Sequence, residues 1–85
     1  MPEISRFYGI IISMYNSEHN PPHFHIRYND YRATMDIHTG EINGNLPRRV
    51  LNLVYDWYDE HKEDLMQNWT RMENGQPITT IKPLD

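Results

Sequence analysis

The sequence predicts a small α+β domain in which an antiparallel meander of three to four strands packs against one long C-terminal helix. Two stretches that alternate apolar and polar residues, 23–28 and 31–38, indicate paired strands with one buried face each. Apolar residues between positions 50 and 72 recur at spacings of three and four, which indicates an amphipathic helix. A chain of 85 residues has room for one hydrophobic core, so we expect a single domain.

The first element is predicted from the density of β-branched and aromatic residues near the N-terminus. Residues 5–15 are rich in Ile, Phe and Tyr, and such a run is typical of a strand that is buried on both faces. Gly9 within the run indicates a bulge or a close backbone approach. The polar segment 16–22 ends in two prolines, which cannot lie in a central strand, so we expect a loop there.

The two alternating stretches are predicted to form a hairpin around Asn29 and Asp30, two residues that tolerate a positive φ. If Tyr28 faces Tyr31, the two strands are in a register in which the residue numbers of each facing pair add up to 59. His23 then lies opposite Asp36, His25 opposite Thr34, and Arg27 opposite Arg32. All six side chains share the face that is not packed by the apolar residues of the same strands.

The rest of the chain is predicted to be a short strand over 41–43, a helix over 47–74 and a tail over 76–85. Proline is tolerated at the first helical position, so Pro47 is expected to begin the helix. Asn74 and Gly75 form a helix stop. The sequence leaves open whether the helix is continuous or broken near His61, and whether the tail is a closing edge strand or an arm.

Composition excludes several classes of function. The chain has no cysteine, so thiol catalysis, disulfides and cysteine zinc sites are excluded.

The net charge is −4. Acids and arginines balance over residues 1–50, and the whole excess of acid lies in 51–85, so a nucleic-acid surface could only be local. No targeting or membrane segment is expected, which favours a cytoplasmic protein. A small chain without disulfides is expected to gain from a partner subunit, either a second copy or another protein.

The polar face of the predicted hairpin carries the candidate chemistry. His23 and His25 are candidate acid–base groups, and Asp36 opposite His23 is a candidate orienting carboxylate. Because opposed arginines repel each other, Arg27 and Arg32 fit best beside an anion such as a phosphate. Arg48 and Arg49 fall in the first helical turn, where the helix dipole also favours anions.

Other interpretations of these residues are open at this stage. His23 and His25 are equally well explained as surface residues, and Arg48 and Arg49 as a solvated first turn. A metal site would need a third ligand from His19, Asp36 or His38, and the spacing of the two histidines is not specific, so we expect neither a metal nor a cofactor. His61 lies on the apolar helix face with Trp57, Trp69 and Met72, and is expected to be a packed core histidine.

Three segments of the chain are similar to one bacterial family. They are Ile4 to Ile10, then Pro21 to Tyr28 with its Pro-Pro-His-Phe-His sequence, then Leu46 to Arg49 together with Glu63 to Trp69. The chain resembles domain-of-unknown-function family 4160 over nearly its whole length. The resemblance implies a partner, because members are often encoded beside a small protein of domain-of-unknown-function family 2442, in an arrangement typical of toxin–antitoxin pairs. It marks His23, His25, Arg48, Arg49 and Trp69 as motif positions and implies no settled activity.

The leading functional hypothesis is therefore the toxin-like member of a two-protein module. Its polar strand face would bind or act on RNA or another phosphate ligand, and a small antitoxin-like partner would mask that face. A non-catalytic protein-binding module, including an antitoxin or partner subunit, is the alternative, and a histidine-based metal-binding protein is the third. The residues leave open whether the protein is an enzyme.

Overall fold

The structure is a computed structural model that describes residues 3–15 and 19–85. The predicted 16–22 loop therefore lies partly outside the described residues. Five strands form one antiparallel sheet in chain order: β1 (Glu3–Phe7), β2 (Ile10–Ser13), β3 (His23–Tyr28), β4 (Tyr31–Asp36) and β5 (Ile42–Gly44). One helix follows, α1 (Arg48–Glu73). The predicted α+β class with an antiparallel sheet and a long C-terminal helix is confirmed, with one strand more than expected.

The additional strand arises at Tyr8 and Gly9, where a single strand over residues 5–15 was predicted. Both residues have positive φ, +51° and +79°, and form a tight turn that brings Phe7 opposite Ile10. The prediction of one continuous strand is wrong here, and Gly9 serves a hairpin turn rather than a bulge. Tyrosine seldom adopts a positive φ, so Tyr8 gave no turn signal.

The β3–β4 hairpin has the predicted register. His23 faces Asp36, His25 faces Thr34, Arg27 faces Arg32, and Tyr28 faces Tyr31 across a turn in which Asn29 has a φ of +52°. β4 ends at residue 36, two residues earlier than predicted, because the side chain of Asp36 accepts hydrogen bonds from the backbone N–H groups of His38 and Thr39. These bonds turn the chain toward β5, which covers 42–44 instead of 41–43.

The helix begins one residue after Pro47, which occupies the N-cap position, and it is interrupted at His61 (φ −124°, ψ 19°). The structure therefore shows the broken form of the helix. At the C-terminal end Gly75 has a φ of +70°, and the N–H groups of Gly75 and Gln76 donate to the carbonyls of Met72 and Arg71 at 3.1 and 2.7 Å. This pattern is a Schellman motif, and it ends the helix where the Asn-Gly pair was predicted to end it.

The core lies between the helix and one face of the sheet, with Trp57 at its centre. The indole is fully buried, its ring centroid lies 5.5 Å from Phe7 and 5.8 Å from Phe24, and its Nε1 donates to the carbonyl of Lys82 at 3.0 Å. Trp57 therefore joins the sheet, the helix and the C-terminal tail.

The tail forms an arm that crosses the helix and reaches the edge of β1. Asn68 is fully buried, its amide nitrogen donates to the carbonyl of Thr79 at 2.8 Å, and its amide oxygen accepts from the N–H of Thr79 at 3.0 Å. The N–H of Ile81 donates to the carbonyl of Ile4 at 2.7 Å. Sequence analysis did not single out Asn68, although it lies on the buried face of the helix. No helix in the described part of the chain has the length and apolar character needed to cross a membrane.

Replacing Trp57 tests whether the core depends on this side chain. Trp57→Ala should lower the free energy of unfolding by roughly 3–5 kcal/mol, the range for truncating a buried aromatic side chain. Chemical denaturation followed by circular dichroism measures the change, with Asp59→Ala on the exposed helix surface as the control. A loss below about 1 kcal/mol would contradict the position of Trp57 at the centre of the core.

Replacing Asn68 tests how the arm is held. Asn68→Ala leaves the N–H and carbonyl of Thr79 without their partners, so we expect a loss of about 1–3 kcal/mol in unfolding free energy. Hydrogen exchange at Thr79 and Ile81 should become faster, while Gln67→Ala, which changes the exposed neighbouring residue, should leave both rates unaltered. Unchanged exchange in Asn68→Ala would show that the arm is held by other contacts.

Candidate functional site on the outer face of the sheet

Strand alternation divides the sheet into a face that packs on the helix and an outer face that points away from it. Phe24, Ile26, Ala33 and Met35 are buried on the helix side. Because neighbouring residues of a strand point to opposite sides, the residues between them point outward. The outer face of the β3–β4 hairpin consists of His23, His25, Arg27, Arg32, Thr34 and Asp36, of which all but the exposed Arg32 are half-buried.

Cross-strand pairing extends this face onto the neighbouring strands. His25 pairs with Ser13 of β2 on one side, and Thr34 pairs with Asn43 of β5 on the other. Arg27 pairs with Ile11 of β2, which in turn pairs with Arg6 of β1. The outer face therefore presents hydroxyl, amide, imidazole and guanidinium groups on all five strands.

The arginines of the outer face differ in their partners. Arg6 donates to the carboxylate of Glu3 at 2.8 and 3.1 Å, and this hydrogen bond, supported by the charges of Arg6 and Arg27, lowers the pKa of Glu3. Within residues 3–15 and 19–85, neither Arg27 nor Arg32 has a carboxylate oxygen within 4.0 Å. Arg27 and Arg32 are thus two facing cations without a directly paired carboxylate, and the nearest attraction that acts on Arg27 is the longer-range one from Glu3.

A shallow cavity of about 60 Å³ opens at this position. Its polar and aromatic lining comes from Ser13, Tyr15, His25, Arg27 and Arg32, and its apolar lining from Ile11, Ile26 and Ala33. Three of the predicted site residues, His25, Arg27 and Arg32, thus share one concavity. Sequence analysis missed Ser13 and Tyr15, because their position beside His25 depends on the β2–β3 register.

His23 and Asp36 face each other as predicted, but each makes a further contact with the backbone. Nδ1 of His23 lies 2.9 Å from the carbonyl oxygen of Pro21. A carbonyl oxygen can only accept, so Nδ1 is the donor in this bond. Oδ1 of Asp36 accepts from the N–H groups of His38 and Thr39 at 2.8 and 3.0 Å. Pro21 therefore supplies an orienting contact to the His23 ring, and Asp36 stabilises the turn after β4.

The pKa of Asp36 is lowered from its ordinary value. The backbone hydrogen bond from Thr39 is the main cause, the bond from His38 adds to it, and partial burial opposes both. Hydrogen bonds to a carboxylate favour its ionised form. Asp36 is therefore a permanent anion at neutral pH.

Four aromatic rings form a continuous row beside the arginines, here called the ring row: Tyr15, His25, His23 and Trp69. The centroid distances along it are 4.6, 5.4 and 5.3 Å. Trp69 is buried, as predicted for a core residue, and its Nε1 has no hydrogen-bond acceptor among the described residues. The ring row thus runs from the half-buried Tyr15 on the outer face to a tryptophan anchored in the core.

Arg48 and Arg49 are exposed in the first turn of the helix, which packs on the other side of the sheet. In the described part of the chain no hydrogen bond or ion pair joins either of them to the outer face. The structure thus brings His23, His25, Arg27, Arg32 and Asp36 together and leaves Arg48 and Arg49 apart from them.

The remaining histidines serve other contacts. The ring of His61 is 13% exposed, its Nδ1 lies 3.0 Å from Oδ2 of Asp64, and its centroid lies 5.5 Å from Trp57, as expected for a packed histidine. The carbonyl of His38 accepts from Lys62 at 3.0 Å. Over 3–15 and 19–85, no three His, Asp or Glu side chains converge as a metal-binding group.

Comparison with known proteins identifies the family to which the chain belongs. The family model described as domain of unknown function (DUF4160) matches residues 9–70, which is more than half of the chain. The chain belongs to the DUF4160 family. No curated protein and no solved structure matches it. The matched segment contains every outer-face residue of the DUF4160 hairpin and the whole ring row, whereas the C-terminal arm lies beyond it.

The lowered pKa of Asp36 predicts how stability depends on pH. A carboxyl group whose pKa is lowered on folding stabilises the protein above its unfolded pKa of about 3.9, and this stabilisation disappears as pH falls through the folded pKa. The free energy of unfolding, measured between pH 2 and 7, should therefore decrease as the pH is lowered beneath about 4. The decrease should be less steep in Asp36→Asn than in the parent chain. Asp59→Asn, on the exposed helix surface, serves as the control. If the free energy of unfolding decreases equally steeply at low pH in Asp36→Asn and in the parent chain, the stabilisation by ionised Asp36 is contradicted.

Proposed function

We propose that the outer face of the sheet is a phosphate-binding surface for RNA, and that the chain is the toxin-like member of a two-protein module. The observation that carries the proposal is the facing pair of Arg27 and Arg32, neither of which has a carboxylate oxygen within 4.0 Å among the described residues. Facing like charges destabilise a sheet, and a bound phosphate would relieve the repulsion through charge-assisted hydrogen bonds.

The distribution of charge supports an anionic ligand in spite of the net charge of −4. Four of the six acidic side chains of the helix, Asp56, Asp59, Glu60 and Glu63, are exposed on one side of it. Their spacing places them on the helix side opposite Trp57 and Tyr58, which pack against the sheet. These helix acids and the outer-face arginines therefore lie on opposite sides of the molecule, so the helix acids do not oppose an anion at Arg27, whereas Glu3 and Asp36 lie on the arginine side.

RNA cleavage is the enzymatic form of this proposal. His23 and His25 would transfer protons, and Arg27 and Arg32 would stabilise the negative charge that develops on the phosphate. Asp36 would act through the turn that it stabilises, because its Oδ1 is occupied by two backbone N–H groups. RNA binding and partner masking do not require this chemistry.

A protein-binding module is the second candidate, and one observation favours it. Ile11 is half-buried in the middle of the outer face, between Arg6 and Arg27 on the neighbouring strands and on the side of the sheet that faces away from the helix. A partner protein that covers the face would bury this apolar side chain together with the arginines. In the leading proposal the same partner is the small antitoxin-like protein, and both act in the cytoplasm, where bacterial RNA is found.

Salt dependence distinguishes an RNA surface from an ordinary protein interface. Fluorescence anisotropy with a labelled single-stranded oligoribonucleotide should show affinity that falls as salt rises, because phosphate contacts release counterions. Arg27→Ala and Arg32→Ala should each weaken binding by about 1.5–3 kcal/mol and reduce the slope of log K against log salt by about 0.7 per lost contact. Arg48→Ala tests whether the helix start contributes as well.

Glu60→Ala and Glu63→Ala, on the acidic helix surface, are the controls and should leave the affinity nearly unchanged. Absence of binding at low salt, or equal affinity in the arginine and glutamate variants, would refute the RNA surface and favour the protein-binding module.

Growth of bacteria that express the chain tests the toxin-like role. We expect inhibition by the chain alone, relief on co-expression with its small partner, and loss of inhibition in His23→Ala, His25→Ala and Arg27→Ala. His25 and Arg27 point away from the core, and the His23 ring contacts the core only through Trp69, so the variants should remain folded by circular dichroism. Inhibition that survives all three changes would place the activity elsewhere on the molecule.

A further inference from the structure

The outer end of the ring row, Tyr15 and His25, lies on the same face as Arg27 and Arg32 and lines the same cavity, which gives the surface a second kind of contact. We propose that the outer end of the ring row, Tyr15 and His25, stacks against unpaired bases, so that the site takes single-stranded RNA in preference to duplex RNA. This inference rests on the proposed phosphate-binding function and specifies its substrate class.

The spacing of the sheet joins the two kinds of contact. His25 and Arg27 point to the same side of β3 and are two residues apart, which corresponds to about 6.6 Å along a strand. The cavity between β2, β3 and β4 is lined by Tyr15 and His25 as well as by Arg27 and Arg32. A nucleotide placed there meets a guanidinium at its phosphate and an aromatic ring at its base.

The orientation of the two rings determines how a base fits. The planes of Tyr15 and His25 are inclined by 87°, so a base that lies parallel to one ring meets the other at its edge. The cavity of about 60 Å³ has room for only a few water molecules, so we expect it not to enclose a base. The base is therefore expected to lie on the surface against one ring.

The inner half of the row holds the outer half in place. His23 lies 5.4 Å from His25 and 5.3 Å from Trp69, which is 3% exposed. The His23 ring thus packs between the His25 ring and Trp69, whose side chain is fixed in the core. A fixed ring loses little conformational entropy when a base stacks on it, which favours binding.

Stacking of this kind selects for single strands. Bases in duplex RNA are stacked on one another, and proteins meet its phosphates and 2′-hydroxyl groups, whereas unpaired bases are free to stack on aromatic side chains. Each stacked base contributes about 5- to 150-fold in affinity, which corresponds to 1–3 kcal/mol.

The test compares three probes on the full chain: a 12-nucleotide single-stranded oligoribonucleotide, the duplex of the same sequence, and an abasic ribose-phosphate oligomer with the same number of phosphates. We expect the single strand to bind at least 5-fold more tightly than the abasic oligomer, and more tightly than the duplex. This ratio should fall toward one in Tyr15→Ala and His25→Ala and persist in Tyr15→Phe. Arg27→Ala should weaken single-strand and abasic binding by the same factor, which preserves the ratio.

Equal binding of all three probes, with loss of all three in Arg27→Ala, would overturn stacking and leave the phosphate surface standing. Failure of every probe to bind at low salt would overturn both proposals. The comparison of probes on the unaltered chain needs no variant, so the result holds even if Tyr15→Ala is unfolded by circular dichroism.

Discussion

The indole of Trp57 is the contact on which the rest of the structure depends. It packs against Phe7 of β1 and Phe24 of β3, lies next to His61 at the helix break, and donates its N–H to the carbonyl of Lys82 in the arm. One side chain thereby sets the distance between helix and sheet and supplies an anchor for the last ten residues. Every element that carries the outer face is held, directly or through the sheet, by this contact.

The sequence predicted those elements whose signal is local. Alternation along 23–28 and 31–38 predicted the β3–β4 register, and the three-and-four spacing predicted the helix. The Tyr8–Gly9 turn was missed because an apolar run conceals it, and Asn68 was missed because a polar residue on a buried helix face is unexpected until its partner in the arm is known. The neighbours of His25 depend on β2–β3 pairing across a loop, which no local pattern specifies.

In the candidate site, too, the sequence predicted what depends on local pattern and missed what depends on tertiary contacts. His23, His25, Arg27, Arg32 and Asp36 were placed together by the hairpin register alone, and their shared face is confirmed. Sequence reasoning could not determine what each polar atom contacts. The Asp36 carboxylate holds the turn after its own strand, and the carbonyl of Pro21 contacts the imidazole that Asp36 was expected to orient. Arg48 and Arg49 were grouped with these residues by charge, whereas the helix they begin lies on the opposite side of the sheet.

The separation of acidic helix and arginine-bearing sheet also affects how the molecule meets a charged polymer. Attraction on one side and repulsion on the other produce a torque, because the field of a polyanion acts oppositely on the two surfaces within a Debye length of about 8 Å at physiological ionic strength. The molecule is turned before contact, so encounters with the sheet leading are enriched over random ones. Added acids on the helix would increase this torque, but they would also make the protein more negative and so raise its overall repulsion from the polyanion.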